Sequence, residues 1–158
     1  MKKNSLFLLL ATLGIAFAAP LSSVYTPLEF GKCKAVSRFQ DEAGGAVDLC
    51  PGVAGYTLQL EEGDLRQNVQ VISPKGKKYS LDLWILISGS FSSTGPRAEW
   101  RMAGKVPKAL IVRFNASENL EDSSGACLVA KIKPSANMNL EARRVSDRAA
   151  GMSCLKFE

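Results

Sequence analysis

Gly55-Tyr56-Thr57-Leu58-Gln59-Leu60 alternates, with Tyr56, Leu58 and Leu60 on one side and Thr57 and Gln59 on the other. A period of two belongs to a half-buried strand. Glu61-Glu62-Gly63-Asp64 follows as a polar turn, and Arg66 to Ser73 resumes the pattern with Val69 and Val71 on one face. Two strands with a short polar turn between them set the expectation of a chain of mostly antiparallel strands.

Downstream, Pro74-Lys75-Gly76-Lys77-Lys78 is a turn by its Pro and Gly. Tyr79 to Ile87 is the strongest strand in the chain. Tyr79, Leu81, Leu83, Ile85 and Ile87 share one face, and Trp84 and Leu86 lie on the other. Ser88 to Pro96 is a Ser/Gly-rich loop. Arg97 to Met102 and Ala109 to Phe114 are further strands, Asn115 to Gly125 an acidic polar loop, and Ala126 to Lys133 a last strand. That strand carries Cys127 and Val129 in one phase and Leu128 and Ile132 in the other. Upstream, Lys34 to Phe39 and Ala46 to Cys50 form a first hairpin, and residues 19–32 an extended lead-in held from helix by Pro20 and Pro27.

The period changes once. Met138, Ala142, Val145, Ala149 and Met152 fall at offsets of 4, 7, 11 and 14, a helical stripe. Asn137 or Asn139 can cap its start, and Gly151 can end it. The expected helix, about Asn139 to Ala150, lies on the sheet by its Met/Ala/Val face, with Arg143, Arg144, Asp147 and Arg148 on its polar side. The predicted class is α+β: a mostly antiparallel β-sheet with one C-terminal helix, stapled by disulfides.

The N-terminus has the three parts of a secretory signal peptide. Lys2 and Lys3 form a basic start, Leu6 to Phe17 an apolar run, and Ala16-Phe17-Ala18 a small-residue cleavage site. The expected organisation is residues 1–18 as signal peptide and residues 19–158 as a single secreted domain. The apolar run is shorter than the ~20 residues of a membrane span, and the next candidate, Leu81 to Ser88, is interrupted by Asp82. The chain is expected not to span a membrane and to be periplasmic or secreted. Loss of Lys2 and Lys3 takes the net charge from +5 to +3. That balance gives no reason to expect a nucleic-acid partner.

Export directs the reading of the cysteines. Cys33, Cys50, Cys127 and Cys154 all lie in the mature region, and an even count there reads as a disulfide framework. Cys33–Cys50 and Cys127–Cys154 are favoured among the three connectivities because each closes a local loop. The spacing contains no CxxC pair and the chain has no histidine, so no zinc site, no other metal site and no cofactor are expected.

The missing histidine also removes Ser-His-Asp and Cys-His catalysis. Ser153-Cys154-Leu155-Lys156 matches Ser-x-x-Lys in spacing only, since its companion motifs are missing. Glu61, Glu62 and Asp64 are read as a surface turn rather than a carboxylate pair. No catalytic residue is assigned. The candidate binding surface is Lys75, Lys77 and Lys78 at a hairpin tip, with Glu99, Trp100, Arg101 and Arg113. Trp100 is expected on one strand face and Glu99 and Arg101 on the other, where the two can pair laterally. Arg113 either snorkels or pairs with a carboxylate.

Tyr25-Thr26-x-Leu28 before Cys33, Cys50-Pro51-Gly52-x-x-Gly55-Tyr56, Glu62-Gly63-Asp64-Leu65-Arg66, Glu99-Trp100-Arg101, Arg113 and the stretch Asp147 to Cys154 occur in that order. In this the chain resembles a family of small exported, periplasmic proteins of alphaproteobacteria with no assigned activity; the Ser88–Pro96 region departs from it. The resemblance implies a periplasmic home and a single domain, and carries over no catalytic residue. The expected function is a binding or interaction module of the cell envelope, its partner an envelope protein or cell-wall component. The alternatives are a carboxylate hydrolase using Glu62 and Asp64 or Glu99, and an inhibitor of a lytic envelope enzyme.

Overall fold

A computed structural model describes residues 20–39, 44–63, 66–81, 94–114, 119–123 and 127–155. The expected signal peptide and most of the Tyr79–Ile87 run lie outside these residues.

The strands are β1 (Ser22–Pro27), β2 (Lys34–Phe39), β3 (Gly45–Pro51), β4 (Thr57–Gly63), β5 (Arg66–Ile72), β6 (Lys78–Ser80), β7 (Thr94–Ala103), β8 (Val106–Phe114), β9 (Asn119–Ser123) and β10 (Cys127–Ile132). One helix, α1 (Met138–Ser146), follows, then a 3-10 turn at Ala149–Gly151. Every described pairing is antiparallel. One five-stranded sheet has the order β1-β7-β8-β9-β10; the other is the meander β2-β3-β4-β5-β6. The α+β class, mostly antiparallel with one C-terminal helix and a Cys33–Cys50 disulfide, is as the sequence predicts.

The alternation read from the sequence builds the core. Leu58 and Leu60 on β4 and Val69 and Val71 on β5 point inward. They meet Ala98, Trp100 and Met102 of β7, Leu110 and Val112 of β8, and Leu128 of β10. The two sheets therefore pack face to face as a sandwich. At one end of it Gly52 lies against Trp100 and the backbone of Tyr56. A Cβ there would sit 2.6 Å from the Tyr56 carbonyl oxygen and 2.9 Å from the Trp100 ring, so only glycine fits.

The outer face of the first sheet carries α1. Ala142 and Ala149 are fully buried against it, and Met138 and Val145 half-buried, over Ala109, Ile111, Val129 and Ile132. A register shift between Leu128 and Ala130 puts Val129 and Ile132 on the same, helix-facing side. Strict alternation places them on opposite sides; a bulge inserts one residue and resets the phase.

Several local expectations are corrected. The lead-in contains an edge strand, β1. β4 continues through Glu61 and Glu62, and Asp64 lies outside the described residues. β7 starts at Thr94, inside the expected Ser88–Pro96 loop, and β9 occupies the middle of the expected 115–125 loop. The helix stops at Ser146, short of Ala150, where the Arg148 amide donates to Val145 three residues back and tightens the chain toward the 3-10 turn. Met152 is 39% exposed rather than inward.

Cys33 and Cys50 are bonded, with Cα atoms 4.5 Å apart. Cys154 is also disulfide-bonded; the side chain of Cys127, its expected partner, lies outside the described residues. The Leu155 amide donates to the Leu128 carbonyl at 2.8 Å, which lays the C-terminal tail beside the start of β10.

Peptide mapping of the oxidised protein is expected to recover a Cys33–Cys50 peptide and a Cys127–Cys154 peptide. Replacing Cys33 and Cys50 together by serine is expected to cost about 3 kcal/mol in chemical denaturation. Cys154→Ser is expected to raise hydrogen exchange across residues 138–152 while β7 stays protected. Uniform loss of protection, or any other pairing, contradicts this.

Candidate functional site

The two faces of β7 differ in kind. Ala98, Trp100 and Met102 enter the apolar core, while Glu99 and Arg101 point to the helix side. The pairing register sets Ser23 of β1 opposite Arg101, and Tyr25 opposite Glu99. On the other flank β8 sets Ile111 opposite Glu99, with Arg113 two residues further along the same face. The layer between sheet and helix is therefore apolar at one end and ionic at the other.

Glu99 is the centre of the ionic part and is fully buried. Its Oε1 accepts from Ser23 Oγ at 2.5 Å and from Arg143 Nε at 2.6 Å; its Oε2 accepts from Arg113 Nη2 at 2.5 Å. Arg143 Nη2 also donates to the Tyr25 hydroxyl at 2.9 Å, and Arg113 Nε to Asn139 Oδ1 at 2.8 Å. Beside this, Arg101 forms a two-pronged pair with Asp147 at 2.7 and 2.9 Å. Ser23 joins the two groups, since its hydroxyl donates to Glu99 and accepts from Arg101 Nη1 at 2.5 Å. Arg97 stacks over the Tyr25 ring at 4.5 Å.

Burial by itself raises the pKa of Glu99. The hydrogen bonds from Arg143, Ser23 and Arg113, with the charge of Arg113, outweigh it and hold the carboxyl down at about 2. The same bond to Glu99 pushes the Arg143 guanidinium up. A carboxylate locked in its ionised form binds and orients; it does not shuttle protons near neutral pH.

The candidate surface residues divide three ways. Glu99, Arg101 and Arg113 come together, but beneath the helix. Glu99 and Arg101 do not pair laterally as expected, because each finds its partner on the helix side and Ser23 stands between them. Arg113 pairs with a carboxylate, one of the two outcomes expected for it. Trp100 is 3% exposed and faces the core, so it is no surface aromatic; its Nε1 donates to Thr26 Oγ1 at 2.9 Å and its ring packs on Tyr56. Lys75, Lys77 and Lys78 sit apart, exposed on the β5–β6 turn. There Lys77 lies 4.8 Å from the Tyr79 ring centroid, and Lys78 donates to Gln59.

Ser23, Tyr25, Asn139, Arg143 and Asp147 were not singled out as site residues. Their signal lies in β7 itself. Glu99 and Arg101 supply no apolar side chain on a face that a helix covers, so the helix must bring charge to meet them. Two other carboxylates are placed elsewhere. Asp48 on β3 is fully buried with Arg38 at 2.5 Å, and Glu61 on β4 accepts amide bonds from Gln59, Asn68 and Gln70. Among the described residues no group of three or more Cys, Asp or Glu is placed to hold a metal ion.

Glu99→Gln strands two guanidinium groups and is expected to destabilise the fold by about 3 kcal/mol. The folded pKa lies below the usual carboxylate value. The stability that Glu99 contributes is therefore complete above about pH 4.5 and drains away as pH falls toward 2. Acid unfolding followed by near-ultraviolet circular dichroism is expected to lose this component in Glu99→Gln. Comparison of the chain with protein-family models, with curated proteins and with solved structures found no match.

Proposed function

We propose that this chain is an exported, disulfide-stapled binding or interaction module of the cell envelope, periplasmic or secreted, with no hydrolytic chemistry of its own. The carrying observation is the state of Glu99. It is a fully buried carboxylate, and Ser23, Arg113 and Arg143 occupy both its oxygens and hold its pKa near 2. A glycosidase-type pair needs two carboxylates about 5–10 Å apart on one cleft, one with a raised pKa. Here Glu99 lies on the outer face of one sheet and Glu61 on the outer face of the other, with the core between them. The open depression beside α1, lined by Asn137, Leu140, Glu141, Arg144, Val145 and Arg148, includes one carboxylate.

The disulfide at Cys33–Cys50 favours an oxidising compartment, in keeping with the N-terminal signal pattern. No helix among the described residues is long and apolar enough to cross a membrane.

The reading is tested with the oxidised mature chain immobilised against envelope extract, and against cell-wall polymer in parallel. It is expected to retain one component that rebinds in purified form with saturable affinity, and to leave the polymer uncleaved. Polymer cleavage that disappears in Glu62→Gln or Asp64→Asn would overturn it in favour of the hydrolase.

A further inference from the structure

The chain has a basic end, and we infer that this end docks on an anionic lipid bilayer; the inference rests on reading the chain as an envelope binding module and names the surface and its partner. Three turns build it: Pro51 to Tyr56 between β3 and β4, Ser73 to Lys77 between β5 and β6, and Gly104-Lys105 between β7 and β8. Two contacts show that they leave the same end of the sandwich. Gly52 lies against the ring of Trp100, three residues before the end of β7, and Gly55 lies against Pro74. At the other end of β7, the Thr94 amide donates to Gln67 near the start of β5, which fixes the direction of the strand.

On these three turns the charge is one-sided. Lys75, Lys77 and Lys78 on one turn, and Lys105 and Lys108 on and just after the other, are all exposed. None of the stretches 51–56, 73–78 and 103–108 contains Asp or Glu. Among the described residues no ion pair uses Lys75, Lys105 or Lys108. The Lys77 ammonium rests over the Tyr79 ring, 4.8 Å from its centroid, a contact that holds it on the turn. Between Lys105 and Lys108 stands Val106, 53% exposed.

These cations sit on two separate turns, a spread that fits an extended negative surface rather than one small anion. An exposed apolar side chain set among lysines is the pattern of an interfacial contact. The valine enters the headgroup layer while the ammonium groups stay with the phosphates.

The test is flotation of the oxidised mature chain with vesicles of mixed phosphatidylglycerol and phosphatidylcholine, and with phosphatidylcholine alone. Binding is expected only to the mixed vesicles and is expected to vanish at high salt. Lys75→Glu combined with Lys105→Glu is expected to weaken it by about tenfold or more. Lys133→Glu, the same change of sign beyond β10 at the far end, is expected to weaken it less than about twofold. Thermal melting of each variant checks its fold, and the salt response of the unaltered chain decides the matter if the double variant does not fold. Equal retention on both vesicle types, or equal losses in the two variants, would overturn the docking end. So would retention on a soluble polyanion without retention on vesicles. In those cases a component still captured from envelope extract leaves the module reading intact, whereas polymer cleavage removes both.

Discussion

Glu99 sits where the sheet and the helix meet, and its carboxylate has no water to fall back on. A buried negative charge is tolerated only when donors surround it, because desolvation outweighs the attraction of any loosely placed partner. The donors come from three elements: Ser23 from β1, Arg113 from β8 and Arg143 from α1. Each must be in register for Glu99 to stay ionised. One side chain thereby fixes the slide of β1 along β7, the phase of β8 and the rotation of the helix. Arg101 repeats the device beside it, clamping Asp147 just past the helix end and reaching the Leu21 carbonyl of the N-terminal segment.

This arrangement answers a weakness in the apolar stripe. The fully buried apolar positions on the helix side are Ala142 and Ala149, which remove little surface from water. Their small size does let the helix approach Ala109, Ile111 and Ile132 closely. Docking by area alone is therefore modest, and a helix of this length is marginal in isolation. The ion pairs supply direction where the apolar contact supplies only adhesion. The disulfide at Cys154 restrains the segment from beyond the 3-10 turn.

What could be read in the sequence follows this division. β4 and β5 stand out because Leu58 and Leu60, and Val69 and Val71, alternate with polar neighbours, and a two-residue period has one structural meaning over such lengths; β8 stands out as an apolar run broken only by Arg113. β9 was hidden: Asn119-Leu120-Glu121-Asp122-Ser123 has one apolar residue, and ladders with β8 and β10 on both sides hold it in place. The bulge near Val129 leaves no mark in the composition. The ionic layer was half visible. Glu99, Arg101 and Arg113 look odd inside strands, and that oddness is real. Their partners on β1, on α1 and just past it look like ordinary surface polar residues, and only the pairing of distant segments brings Ser23, Arg143 and Asp147 onto the buried Glu99 and Arg101.

Charge thus works in two regimes in this molecule. Around Glu99 it is enclosed, so dissolved ions barely reach it and its strength depends on geometry and acid. At the turns carrying Lys75, Lys77, Lys105 and Lys108 it is open to solvent, so its reach is set by ionic strength. Had the carboxylate at position 99 been left half paired in an open cleft, its pKa would have been free to rise and its protons to exchange with a substrate. Because three donors close over it, it is removed from chemistry and assigned to holding the layers together. The charge on the turns stays in water, where dissolved ions screen it. Salt therefore acts on the exposed lysines, and acid on the ionic layer between sheet and helix.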